Sequence, residues 1–427
     1  MIVKEVLASV EVIPDPYIKS VTYAKIGERL VKARDRNYKT AFLKALETAK
    51  EIEDPVKMFR ALLSVGYSLH RAGLKSSKRI YQGVLEDSRI LPPPQRDVIM
   101  ATAARYMLAL GEIGEAITYA LEIEDVKLRD DVLLEIIRAN TRMIEKEQLK
   151  VAYRLRKSKL ALEYIEEEPH RSKALLEIIK AYIALGSYEN GISLIRSIGV
   201  KEWARQAFKE VSFYLKERDV LGHYIDSLEA VAQELIEKFG EEFTEDLALA
   251  FALSGEGVPA IELIRGRENG EEVMTRIALE LLERDHDVLP AFIAALNERE
   301  AEIVGRAVMN RILEKPELGN WEIIKAIGKS TPSEEIWAKI ARYYVIMGEL
   351  EGAMKIGSIL RDTRLHSVVM ADVAHHFLKK GDVERAIDAA LEVREPKFSS
   401  LLISEILVKA LEQELPRRVE QWKGSRR

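Results

Sequence analysis

Residues 333–360 read SEEIWAKIARYYVIMGELEGAMKIGSIL, and residues 366–393 read HSVVMADVAHHFLKKGDVERAIDAALEV. Aligned on Gly348 and Gly381, which are 33 positions apart, Trp337 falls on Met370, Ala341 on Ala374, Tyr344 on Phe377 and Ala353 on Ala386. Positions eleven, seven and four before the glycine lie on one face of a helix. A small residue five after the glycine lets a second helix approach that face closely. The stretch therefore predicts helix, tight turn, helix, with glycine supplying a left-handed backbone that other residues adopt at a cost.

The same spacing recurs around Gly111 and Gly186. Eleven before stand Met100 and Leu175, seven before Ala104 and Ile179, four before Met107 and Tyr182, and five after Ala116 and Gly191. Twelve after the four glycines come Ile123, Ile198, Leu360 and Val393. The ends of the units also repeat: EVLASVEVIPDP (5–16), ALETAKEIEDP (45–55), AITYALEIED (116–125) and AIDAALEVREP (386–396). Each runs from apolar helical spacing to an acidic residue, usually followed by proline. Proline fits the first turn of a helix and not its interior, so this junction closes one helix and opens the next.

The series Trp337, Ile340, Ala341, Tyr344, Gly348, Leu350 and Ala353, echoed by Met370, Val373, Ala374, Phe377, Gly381, Val383 and Ala386, resembles the tetratricopeptide repeat (TPR). The chain departs from that family where a late small residue becomes Ile123 or Val393, and where the junction proline comes two residues early, at Pro55 and Pro396. The resemblance implies an all-α fold, an α-solenoid of about a dozen stacked antiparallel helix pairs. Its clear copies lie near 20–125, 170–200 and 335–396. We expect an N-terminal repeat arm over 1–239, divergent repeats with a possible bend over 240–334, C-terminal repeats with a capping helix over 335–415, and a basic tail over 416–427.

Composition narrows the function. Sixty-five basic and 70 acidic residues are interspersed and give a net charge of −5, so no global field selects nucleic acid or an anionic membrane. The absence of cysteine removes disulfides, thiol nucleophiles and Cys-bound metals. The longest apolar runs fall well short of the ~18 residues that a membrane span needs, and no signal-peptide pattern opens the sequence, so a cytoplasmic protein is expected. Abundant Glu, Lys and Arg with no cysteine is a thermophile-like composition.

Motif by motif, catalysis finds little support. Gly328, Lys329 and Ser330 end like a phosphate-binding loop, but Ile323 stands where that loop needs glycine. Asp372, His375 and His376 share a helix, yet adjacent histidines point about 100° apart and cannot chelate one ion as a four-spaced pair would. No G-x-S-x-G stretch is present. No catalytic residue, metal site or cofactor is expected.

Two basic patterns remain. Six positions before the aligned glycines stand Arg105, Lys180, Arg342 and His375. If the first helices line a concave groove, as the TPR resemblance implies, these form a cationic ladder suited to an acidic or carboxylate-bearing protein segment. Earlier repeats break the ladder, with Tyr67 and Glu28 at the equivalent places. The second pattern is Lys150, Arg154, Arg156, Lys157 and Lys159, on a helix with Tyr153 as a stacking residue; it is the candidate patch for nucleic acid or an acidic partner. The reading favours a non-catalytic scaffold or adaptor for a protein or peptide partner, with RNA or DNA association as the alternative.

Overall fold

The junction and turn signals both become helix ends in the computed structural model, which describes residues 2–144 and 150–424, with side chains described from 3 to 412. Asp15, Asp54, Asp125 and Asp362 each accept hydrogen bonds from backbone N–H groups of the helix they precede, and Pro16 and Pro55 take its first position. A carboxylate at that point satisfies donors that have no partner inside the helix.

At the opposite end, Gly111, Gly186, Gly348 and Gly381 have φ between +74° and +84°. The turn has one hydrogen-bond pattern throughout. At Gly348 its own N–H donates to the Val345 carbonyl and the Glu349 N–H to that of Tyr344; Gly381 and Asp382 repeat this with Leu378 and Phe377.

The chain divides into two compact units, 1–211 and 212–427, with the division inside the helix Lys201–Glu217. Among the described residues of the first unit, five helix hairpins follow one another: Pro16–Lys32 with Tyr38–Lys50, Pro55–Arg71 with Ser77–Ser88, Pro93–Leu110 with Ile113–Leu121, Val126–Arg142 with Val151–Glu163, and His170–Ala184 with Tyr188–Ile195. Five also occur among the described residues of the second: Glu242–Leu253 with Gly257–Ile264, Gly270–Arg284 with Leu289–Ala294, Glu298–Glu314 with Trp321–Ser330, Glu334–Met347 with Leu350–Ile359, and Thr363–Lys379 with Val383–Leu391. The helix Pro396–Gly424 packs on the last of these. Within each unit first helices pack on first helices, so each unit is a stack of antiparallel pairs. Described residues include no strand.

The core sits in the seams between helices. Ala104, Ile179, Ala341 and Ala374 are completely buried, as are Ala116, Ala353 and Ala386 across from them. Contact at this range leaves no room for a longer side chain. The stack is closed laterally by acceptors at the start of first helices, three of them buried and Glu334 partly exposed. Asp97 accepts from the N–H groups of Glu124 and Asp125, Asp130 from Glu166 and Glu167, Ser172 from Gly199 and Val200, and Glu334 from Arg361 and Asp362. Each ties one hairpin to the junction that opens the next.

The turn geometry also occurs where the sequence motif is faint. Gly255, in the stretch expected to be divergent, has φ +89°, and the N–H groups of Gly255 and Glu256 donate to Ala252 and Phe251. Ala248 and Ala260 are completely buried beside it. Arg34 and Asp219 take the left-handed conformation without being glycine. Gly328 lies inside the helix Trp321–Ser330, where a Cβ would meet Trp337 at 3.1 Å, so this stretch forms no loop. The closing helix continues past Leu415 to Gly424; the side chains of the basic tail 416–427 lie outside the described residues.

Candidate partner-binding face

All four residues of the expected ladder lie on first helices, and each meets a carboxylate from the next first helix. Arg105 donates through Nε and Nη2 to the two carboxylate oxygens of Glu135, at 2.7 and 2.8 Å. Lys180 lies 2.9 Å from Glu210, Arg342 Nε donates to Asp372 at 2.7 Å, and His375 Nε2 stands 3.6 Å from Glu405. The hydrogen bond it donates to Glu135 holds Arg105 more firmly protonated than usual.

A further rung escaped the glycine alignment. Arg138 lies 3.7 Å from Glu177, between the rungs of Arg105 and Lys180. Arg138 is six residues before Ile144, which ends its hairpin's first helix where other repeats have glycine, so a search anchored on glycine passes over it. The recoverable signal was a pair of positions: base six before the turn and acid nine before it, as in Glu135 with Arg138 and Asp372 with His375. Read together, these make three such pairs in the first unit and two in the second, each base facing the acid of the following repeat.

Other contacts between first helices depart from this pattern. Arg71 lies 3.3 Å from Glu28 and 5.8 Å from the centre of the Tyr67 ring, which stacks on Tyr106 at 4.9 Å. In the second unit Lys339 donates to Asn310, the reverse polarity of the standard rung.

Around the last rungs the surface opens into a cleft of about 640 Å³, lined among others by Arg342, Asp372, His375, His376, Lys379 and Glu405. Burial, followed by Lys380, pushes the His376 imidazole below its usual pKa, and Lys409 then His375 keep Glu405 below the usual carboxylate range, with Lys409's hydrogen bond the largest cause.

The second basic pattern does not stay together. Arg154 is 8% exposed, and its Nη1 donates to Asn140 at 3.1 Å. Lys157 lies over the ring of Tyr153 at 5.8 Å, whereas Lys159 lies over Tyr182 at 5.0 Å. Lys150 and Arg156 are exposed. Helical geometry separates Lys157 from Lys159 by about 200°, which spreads the cluster over more than one face.

The chain is an all-α helical repeat protein, built within each unit from stacked antiparallel helix pairs. No family model matches it, and no curated protein is similar to it. Solved structures similar to it include a circular tandem repeat protein with novel repeat topology and enhanced subunit contact surfaces, 13% identical, covering 95% of this chain and 94% of that one at a TM-score of 0.25. A signal transduction ATPase with a tetratricopeptide repeat sensor from Pyrococcus horikoshii is 15% identical over 90% of this chain and 66% of its own, at 0.26. A Rap protein complexed with competence and sporulation factor is 10% identical over 83% and 99%, at 0.24. The assignment of fold rests on the hairpins described above and not on these likenesses. No helix of the described residues is long and apolar enough to cross a membrane.

Proposed function

We propose that this protein is a non-catalytic scaffold that captures an extended segment of a protein partner along the row of first helices. The observation that carries the reading is the repeated rung, Arg105 with Glu135, Arg138 with Glu177 and Lys180 with Glu210 in the first unit and Arg342 with Asp372 and His375 with Glu405 in the second, which sets a basic residue against an acid at one register of the first helices within each unit. Exposed ion pairs are worth only ~0.2–1 kcal/mol, so such a row adds little to folding and is available for exchange. An acidic side chain of a ligand replaces the intramolecular carboxylate at a rung, and a basic one replaces the cation. The favoured ligand therefore carries charges spaced to match successive rungs rather than a simple acidic run.

The test is capture from lysate of the source organism, with and without nuclease, comparing wild type with Lys180→Glu plus Arg342→Glu. A nuclease-resistant protein lost in the variant is the expected result, and undiminished capture overturns the groove assignment. In a second variant, Arg342→Asp with Asp372→Arg, the internal pair survives with its polarity reversed. Loss of binding there, at unchanged thermal stability, separates ligand recognition from structural damage. Capture abolished by nuclease moves RNA or DNA association to first place and directs attention to Arg156, Lys157 and Lys159.

A further inference from the structure

Away from the rungs, the first unit holds a cleft of about 260 Å³ between two successive hairpins. Lys78 and Tyr81 line it from the helix Ser77–Ser88, and Glu115 and Tyr119 from Ile113–Leu121, each pair at a spacing that shares one helix face. His70 and Met107 reach it from the two first helices, and Glu112 from the turn.

The lining is buried in one part and polar and exposed in another. Tyr81, Met107 and Tyr119 are 5%, 4% and 6% exposed, whereas Lys78, Glu112 and Glu115 are open to solvent. The Tyr81 hydroxyl is buried and finds no hydrogen-bond partner among the described residues. A buried hydroxyl in that state costs free energy that a bound acceptor recovers. Burial, then Tyr119, pushes this hydroxyl far above its usual pKa, and burial, then Glu115, pushes Tyr119 up to about 12. Both therefore keep their protons at neutral pH and act as donors.

Charge is divided between the walls. Lys78 stands on one helix and Glu115 on the other, and neither has an ion-pair partner among the described residues. His70 Nε2 lies 4.0 Å from Glu112, at the limit of an ion pair. An unmatched base, an unmatched acid and a buried donor together complement a molecule that carries both a carboxylate and an ammonium. The volume falls below the ~300–1,000 Å³ usual for drug-sized ligands, so the occupant is small.

We propose that this cleft binds a free α-amino acid with an apolar side chain. Its carboxylate accepts from the Tyr81 hydroxyl and pairs with Lys78, its ammonium pairs with Glu115, and its side chain lies against Met107 and the Tyr119 ring. A ligand with a single charge leaves Lys78 or Glu115 unmatched. None of these residues belongs to a rung, so the site stands apart from the partner-binding face.

Isothermal titration calorimetry of the full chain with the standard free L-amino acids tests this. At least one apolar amino acid should bind, and its decarboxylated amine and its deaminated acid should bind about ten-fold or more weakly. Tyr81→Phe should weaken the amino acid by about ten-fold or more. The ligand-free Tyr81→Phe chain should melt no lower than wild type, because the hydroxyl it lacks had no partner. Glu115→Gln should weaken the amino acid and leave the deaminated acid unaffected. No binding of any amino acid at millimolar concentration overturns the proposal. So does equal binding of either singly charged analogue, undiminished binding by Tyr81→Phe, or a ligand-free Tyr81→Phe chain that melts lower, which would give the hydroxyl a structural role instead.

Discussion

The hairpins at Glu334–Ile359 and Thr363–Leu391 and those at Gly270–Ala294 and Glu298–Ser330 build similar stacks from different turns. The first pair uses glycine at φ +84° and +80°. The second pair ends its first helices at Asp285 and Lys315, whose backbones are extended, with φ −151° and −132°. Asn320 caps the second helix at the turn of the hairpin Glu298–Ser330, and a capping box closes the junction ahead of that hairpin. Asn297 and Glu300 form a reciprocal capping box, Glu300 also receives Arg265 at 2.8 and 2.9 Å, and Asn320 accepts from the Ile323 N–H. What the two kinds of hairpin share is a close seam and satisfied helix ends. The turn is one of several ways to reach them.

If that is so, breaking an inter-hairpin cap should cost more than altering a turn. Asp97→Ala removes a buried carboxylate that accepts from two backbone N–H groups, and a loss of about 3 kcal/mol is expected from hydrogen bonds to a charged acceptor. Urea unfolding should show it, and a loss no greater than that of Gly348→Ala breaks the comparison. Next in size is the seam itself. Ala386→Leu forces a longer side chain into completely buried contact and should cost about 2 kcal/mol; a neutral result there means that the helices can separate freely.

Turn substitutions rank third and have opposite signs. Gly348→Ala places a Cβ in the left-handed region and should destabilise by about 1 kcal/mol, whereas Arg34→Gly relieves the same strain at φ +57° and should stabilise by a similar amount. Paired thermal melts sharpen the comparison by measuring the turn separately from the seam. A pH effect is expected from His366 in the C-terminal hairpin. Burial first, then Arg394, lowers its pKa, so the folded form keeps a neutral imidazole that the unfolded chain protonates more readily. Stability should be full above about pH 6.5 and decline as pH falls from there to the depressed folded value, below which it levels off. His366→Gln should flatten that decline below about pH 6.5, and an unchanged profile assigns it to other groups. The smallest effect belongs to the ladder: removing the Arg342 pair with Arg342→Ala should change stability by about 0.5 kcal/mol, and a much larger loss would make the rung structural.

Much of the fold was legible because it is local. Helical spacing, glycine at a left-handed turn and Asp-Pro at a helix start each act over a few residues, and the structure reproduces all three. Gly255 shows how far the pattern extends: Ala248, Phe251 and Ala260 keep the spacing where the flanking residues had obscured it. The ladder was read by half. Its bases follow from the glycine alignment, but the acids facing them sit on neighbouring helices, beyond the spacing of any one repeat. Arg138 went unseen because its hairpin has Ile144 in place of glycine.

The sequence alone determined that this chain repeats as helix pairs, because helix starts, turns and small-residue seams are set by backbone stereochemistry and side-chain size at fixed short spacing. Only the tertiary structure decided which charges face one another. Whether Arg105 is a free cation or the partner of Glu135, and whether Arg154 meets solvent or Asn140, depends on side chains brought together from separate helices, and that proximity arises only once the hairpins stack.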